Sequence, residues 1–119
     1  MIGLPVYRVT VWVPPADLAR LQLGICAIEG LQLGEYDQVM WVSAPGREQF
    51  RPLHGAVPAV GIIGEATEGA SVRLEFAIPR DPERLQRVID QGIRPNHPWE
   101  VPAIFVDESW FPLPDPRRV

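Results

Sequence analysis

The 119-residue sequence predicts one α+β domain, an antiparallel sheet carrying two helices on one face. Three observations predict it. Apolar and polar residues alternate through Tyr7–Val13 and again through Ser71–Pro79, the period of a strand with one buried face. Leu18, Leu21, Ile25 and Ile28 recur at helical spacing. Most of the 14 prolines fall between these periodic segments and punctuate the chain into elements.

The elements follow in order. Tyr7–Val13 is a strand rich in β-branched and aromatic residues, and Pro14-Pro15 ends it. Ala16–Ile28 is a helix, with Asp17 placed as a cap where a carboxylate suits the helix dipole and Gly30 as the stop. Gln38–Ser43 reads as a second strand with imperfect alternation. Gly55–Gly64, with its glycines around Val57, Val60, Ile62 and Ile63, reads as a buried loop or a short irregular strand. Ser71–Pro79 is the clearest strand, with Val72, Leu74, Phe76 and Ile78 on one side. Asp81-Pro82-Glu83 opens a second helix by an N-cap and a first-position proline; Leu85, Val88 and Ile89 stripe it, and Gly92 is expected to end it. Val101–Val106 is the last strand. The order β-α-β-β-α-β is that of a ferredoxin-like sandwich with a four-stranded sheet. One domain is expected over residues 1–111, followed by a loose Pro/Arg-rich tail over 112–119.

Composition narrows the chemistry. Hydrophobic residues are 46% and charged residues 22%, the balance of a globular protein. The net charge of −4 argues against a nucleic-acid partner held by bulk phosphate attraction. All 11 basic residues are Arg, which excludes a Schiff-base or phosphate-loop lysine. Cys26 alone forms no internal disulfide and reads as a packed, reduced thiol. Two histidines, His54 and His97, leave few options for zinc. No apolar run approaches a membrane span and no secretion signal is visible, so a cytoplasmic protein without a membrane partner is expected.

The segment Asn96-His97-Pro98-Trp99-Glu100-Val101-Pro102-Ala103 resembles a C-terminal signature of CutA-like proteins, and of the inserted PII-like domain of the NGG-interacting-factor-like (YqfO-type) family. Gly34-Glu35-Tyr36, then Phe50-Arg51-Pro52-Leu53-His54-Gly55-Ala56-Val57-Pro58, then Gly61, Gly64, Glu65, Glu68 and Glu75 follow the order of the second family. The likeness runs from about Tyr7 to Val106. Trp99 stands where a Tyr is usual, and Val101 where an acid is common. The larger family members resemble two-metal hydrolases, but their metal ligands lie on segments outside the inserted domain, so hydrolase activity does not carry over. The resemblance implies a free-standing PII/CutA-like subunit, assembled as a homotrimer.

Two segments hold the candidate binding residues. His97, Trp99 and Glu100 join the second helix to the last strand; His97 and Glu100 suit a divalent metal ion or the polar end of a small molecule. The plainer alternative is a local hydrogen bond for His97 and an Arg partner for Glu100 across a subunit contact. In the second segment, Gly55, Gly61 and Gly64 either receive an anion on free amides or simply form turns. His54 lies beside them and could share a metal with His97 across subunits. Glu75 on its strand reads as exposed or paired with an Arg such as Arg73. Unpaired sheet edges and four tryptophans, Trp12, Trp41, Trp99 and Trp110, favour burial between subunits. No nucleophile–base–orienter set is present, so a non-enzymatic module is expected. It either takes a small ligand or metal at subunit clefts and signals to a protein partner, or serves as a ligand-free trimeric platform.

Overall fold

Leu4–Val13 forms the central strand β1, where β-branched residues suit a pleated, half-buried surface. A computed structural model describes residues 3–114 of the chain. After β1, a 3-10 turn at Pro15–Asp17 leads into α1, Leu18–Ile28. Strands β2 (Trp41–Val42), β3 (Gly46–Phe50) and β4 (Thr67–Pro79) follow. Helix α2, Pro82–Arg87, continues through a π-helical turn, Val88–Ile93, and a 3-10 turn, Arg94–Asn96. Strand β5, Ile104–Phe111, closes the order.

Every pairing is antiparallel, and the sheet runs β2-β4-β1-β5 with β3 continuing beside β4. Register places Val9, Val11 and Val13 beside Phe76, Leu74 and Val72, all on the face that meets the helices. Leu21 and Ile25 of α1 and Val88 and Ile93 after α2 complete a core cluster that is almost wholly withdrawn from solvent. Each such side chain contributes roughly 1.5–3 kcal/mol by burial. Two glycines let the helices approach. A Cβ on Gly24 would fall 2.0 Å from Asn96 Nδ2, and one on Gly92 would lie 3.3 Å from Ile25 Cα. Glu29, just past α1, receives Arg84 Nε at 3.0 Å and a second bond from the same guanidinium, tying the helices in a two-pronged pair.

The α+β ferredoxin-like sandwich is as expected, but the sheet has five strands. Val42 opposes Leu74 whereas Gly46 opposes Ser71, so residues 43–45 face only 72 and 73. This is a β-bulge, and Pro45, which has no N–H to offer a ladder, sits in it. The bulge divides the edge into β2, shorter than the expected Gln38–Ser43, and β3, which sequence periodicity did not reveal. Strand β4 begins at Thr67, four residues early, because β3 gives those residues a partner. Strand β1 stops at Val13 opposite Val72, so β3 and the start of β4 project as a two-stranded arm. The molecule accordingly measures 51 × 28 × 25 Å.

Other boundaries shift for local reasons. Gly92 does not end the second helical segment; it is buried against α1 while the chain winds on to Asn96. Asp81 caps α2 as expected, accepting the Glu83 N–H at 3.0 Å, but the Asp17 side chain makes no capping bond. Helix α1 ends at Ile28, with Glu29 already extended, before Gly30 is reached. The last strand starts at Ile104, because Val101–Ala103 belongs to the segment entering it. Glu75 is neither free nor paired with Arg73; its carboxylate accepts the Thr10 hydroxyl at 2.9 Å. Cys26 packs against the core, where burial first and Asp37 second push its thiol pKa up. No helix among the described residues is long and apolar enough to cross a membrane. The expectation of a loose tail falls partly on residues 115–119, which lie outside the described ones.

Candidate functional site

The two segments singled out in the sequence meet within one chain. The arm of β3 and β4 carries residues 51–66 at its tip, and residues 97–103 run alongside it from the last helical turn to β5. Between them lies a cavity of about 380 Å3, bordered by Phe50, Pro52, Leu53, Val60, Trp99 and Glu100 among others. The tip and the segment are joined directly. The Val57 N–H donates to Glu100 Oε1 at 3.2 Å, and the Phe50 and Trp99 rings lie 5.9 Å apart.

His97 anchors the segment. Its Nε2–H donates to the Trp12 carbonyl at 2.7 Å, a tautomer set by the fact that a carbonyl only accepts. Its Nδ1 then accepts the Trp99 N–H at 3.1 Å. Trp12 N–H in turn donates to Ala103 O, so the end of β1 grips both ends of the segment. The imidazole is buried, and that burial, outweighing the Trp12 bond and the Glu48 and Asp17 charges, lowers its pKa. His97 is thus a positioning residue that orients Trp99 at the cavity wall. Both ring nitrogens are engaged, so a metal ion here would have to displace one of these bonds. Among the described residues no group of three or more His, Cys, Asp or Glu side chains forms a metal cluster.

The three loop glycines all sit at positive φ: Gly55 at 100°, Gly61 at 93° and Gly64 at 85°. They shape the tip as turns. At Gly61 a Cβ would press on Thr67, Phe50 and Pro52 at 3.2–3.4 Å, so the absent side chain also admits the Phe50 ring. Gly64 N–H donates to Pro52 O at 2.7 Å, closing the loop. His54 is exposed on this loop and does not border the cavity. The loop is not buried as expected: Leu53, Val57, Val60, Ile62 and Ile63 are all exposed, because the arm lifts them away from the core. Sequence reasoning missed Glu48 and Val101, which also line the cavity. The first lies on the unrecognised strand β3, and the second was assigned to a strand. Glu48 Oε1 accepts the Ser71 hydroxyl at 2.5 Å, which fixes one wall.

The cavity therefore offers apolar and aromatic walls with a few polar groups, the Glu48 and Glu100 carboxylates and the Arg51 side chain, at its border. Such a lining suits a small organic molecule that buries an aliphatic or aromatic part and holds its polar end against one of these groups.

No family model matches the chain. In sequence it is 31% identical over 93 residues, 78% of its length, to a Mycobacterium leprae protein named GTP cyclohydrolase 1 type 2 homolog, of which this covers 23%. It is 31% identical over 96 residues to the Bacillus subtilis protein of the same name, covering 81% of this chain and 25% of the relative. The chain spans about a quarter of the length of these relatives. In fold it matches a Bacillus cereus protein related to NIF3 with a TM-score of 0.73 and 21% identity, over 93% of this chain and 28% of the other. It also matches CutA1 from Oryza sativa with a TM-score of 0.62 and 17% identity, over 90% and 82% of the two chains. The resemblance read from the residues holds in both sequence and fold.

Proposed function

We propose, from its kinship with one segment of the GTP cyclohydrolase 1 type 2 homologues and its CutA1-like fold, that this chain is a non-catalytic binding module. It assembles as a homotrimer and takes a small, largely apolar ligand in the cavity between the arm tip and the Trp99–Val101 segment. One observation carries the reading: residues 50–60 and 99–101, far apart in sequence, enclose a common hollow clasped by the Val57–Glu100 bond. A ligand seated there would press on both the arm and the His97 anchor. Occupancy could thereby reach a protein partner through the arm. An organic ligand is favoured over a divalent metal because the His97 nitrogens are already committed. The name borne by the relatives belongs to proteins four times longer than the shared stretch, so catalysis is not proposed for this chain.

A ligand-free platform is the second reading. It is favoured by the helix-free face of the sheet, where Trp41 and Phe105 are more than half exposed. The two readings separate in one experiment. The apolar fluorophore anilinonaphthalene sulfonate is titrated into the native protein and into Trp99→Ala and Glu100→Gln variants. Saturable binding at one probe per chain, weakened about tenfold or more by Trp99→Ala without loss of the folded signal, supports the binding module. Absence of saturable binding, or binding indifferent to both substitutions, supports the platform.

A further inference from the structure

The walls of the cavity at the arm tip narrow the kind of molecule it can hold. Glu48 and Phe50 are alternate residues of β3, and the register sets them opposite Gly69 and Thr67, so both side chains leave the arm on one side. The bond from Ser71 to Glu48 agrees, because Ser71 shares that side with Gly69. The Trp99 ring meets the Phe50 ring there, and Glu100, next in the chain, reaches Val57 on the tip. Two carboxylates and two rings therefore border one hollow. Gly69 lies six positions along β4 from Glu75, the residue opposite Trp41, which is roughly 20 Å at strand spacing. The hollow is thus well removed from the Trp41 and Phe105 patch that the proposed trimer would bury.

Neither carboxylate has a counter-charge among the described residues. Glu48 Oε1 takes the Ser71 hydroxyl and Glu100 Oε1 the Val57 N–H, and no donor reaches either Oε2. The ion pairs of the chain involve other residues, and His97, close enough to feel the Glu48 charge, is neutral. Glu48 is half-buried, so water screens its charge less than that of an exposed acid. The Phe50 and Trp99 rings add their negative faces, which attract a cation and repel an anion. Arg51 also borders the hollow, but it is exposed, where its guanidinium is hydrated, and one base stands against two acids.

We infer that the ligand of this cavity is an organic amine in its ammonium form. Its aromatic or aliphatic body lies against the Phe50 and Trp99 rings, and its ammonium donates to Glu48 Oε2 within the field of Glu100. The inference rests on the cavity being a binding site, as proposed above, and adds the charge of what it binds.

Three small molecules that share a phenyl ring and a two-carbon chain separate charge from shape: phenethylamine, phenylethanol and phenylpropionate. Each is titrated calorimetrically into the full chain near neutral pH and at low salt. Phenethylamine should bind at one per chain, about tenfold or more tighter than phenylethanol, with phenylpropionate weakest, and added salt should shrink the preference. Glu48→Gln keeps an acceptor for Ser71, and Glu100→Gln keeps one for Val57, so both preserve the walls. The first should weaken amine binding about tenfold and the second severalfold, with phenylethanol unchanged. Should Glu48→Gln fail to fold, Glu100→Gln and the three ligands on the native protein carry the test. Phenylpropionate binding as tightly as the amine, or an amine preference untouched by both substitutions, would overturn the inference and leave the cavity reading standing. So would failure of all three to bind a protein that takes anilinonaphthalene sulfonate saturably through Trp99. If that fluorophore does not bind either, the cavity reading itself falls, and this inference with it.

Discussion

At the scale of single residues, His97 shows how a recognisable motif can serve placement. The ring is neutral because one nitrogen donates to Trp12 and the other accepts from Trp99. A proton on Nδ1 would abolish the second bond and charge a buried ring. The folded-state pKa therefore lies below the ordinary 6.5, and in the window between the two values the unfolded chain binds more protons. The stability contributed by neutral His97 is complete above 6.5 and declines as pH falls toward the lowered value. Urea unfolding midpoints across this window should drop in the native protein and drop less in His97→Gln; parallel slopes in the two proteins would contradict the assignment. Gly61 is the second decisive residue. Its positive φ and its contact with Phe50 predict that Gly61→Ala costs about 1–3 kcal/mol and loosens the cavity wall, measurable as a lower melting temperature and a changed Trp99 environment. Motif reading located His97 and Trp99, but Trp12, 85 positions from His97, had no sequence signal as their partner.

At the scale of elements, the helix pair is held by shape and by charge. Gly24 lets α1 approach the turn at Asn96, whose side chain is itself bound to Gly92 O at 2.9 Å. Gly24→Ala should therefore destabilise by about 1–3 kcal/mol, since Asn96 cannot swing aside without losing that bond. Glu29 is almost fully buried in its pair with Arg84, and Glu29→Ala would strand a partly buried guanidinium. A loss of about 1–3 kcal/mol is expected, read as a shifted denaturant midpoint with an unchanged slope. The long strands were legible because alternation persists over many residues, as in Val72 to Ile78. Strand β3 was not: in Gly46–Phe50 only Phe50 is apolar, and both faces of the arm meet little of the core. Pairing with β4 alone makes it a strand.

At the scale of the whole molecule, the helix-free face is unfinished. Trp41 and Phe105 stand on it beside the Thr10–Glu75 and Arg8–Asp107 contacts, and β5 pairs on one side only. The proposed trimer of 13.3 kDa chains should give a native mass of about 40 kDa. Trp41→Glu combined with Phe105→Glu should release folded monomers, seen by light scattering with an unchanged circular dichroism spectrum. A monomeric native protein at micromolar concentration would end the trimer proposal while leaving the cavity within each chain intact.

Periodicity, proline placement and the Asp81 cap, all local properties, sufficed for the class of fold and the order of the main elements, and the motifs at Phe50–Pro58 and Asn96–Ala103 marked the two segments that matter. Their spatial relation was beyond local reading. The bulge at residues 43–45 depends on which residues of β4 stand opposite. The cavity depends on how far an arm projects past the end of β1. The state of His97 depends on a carbonyl from the far end of the chain. Each is a contact between distant residues, and a chain's local preferences carry no record of the partner that burial and hydrogen bonding will select.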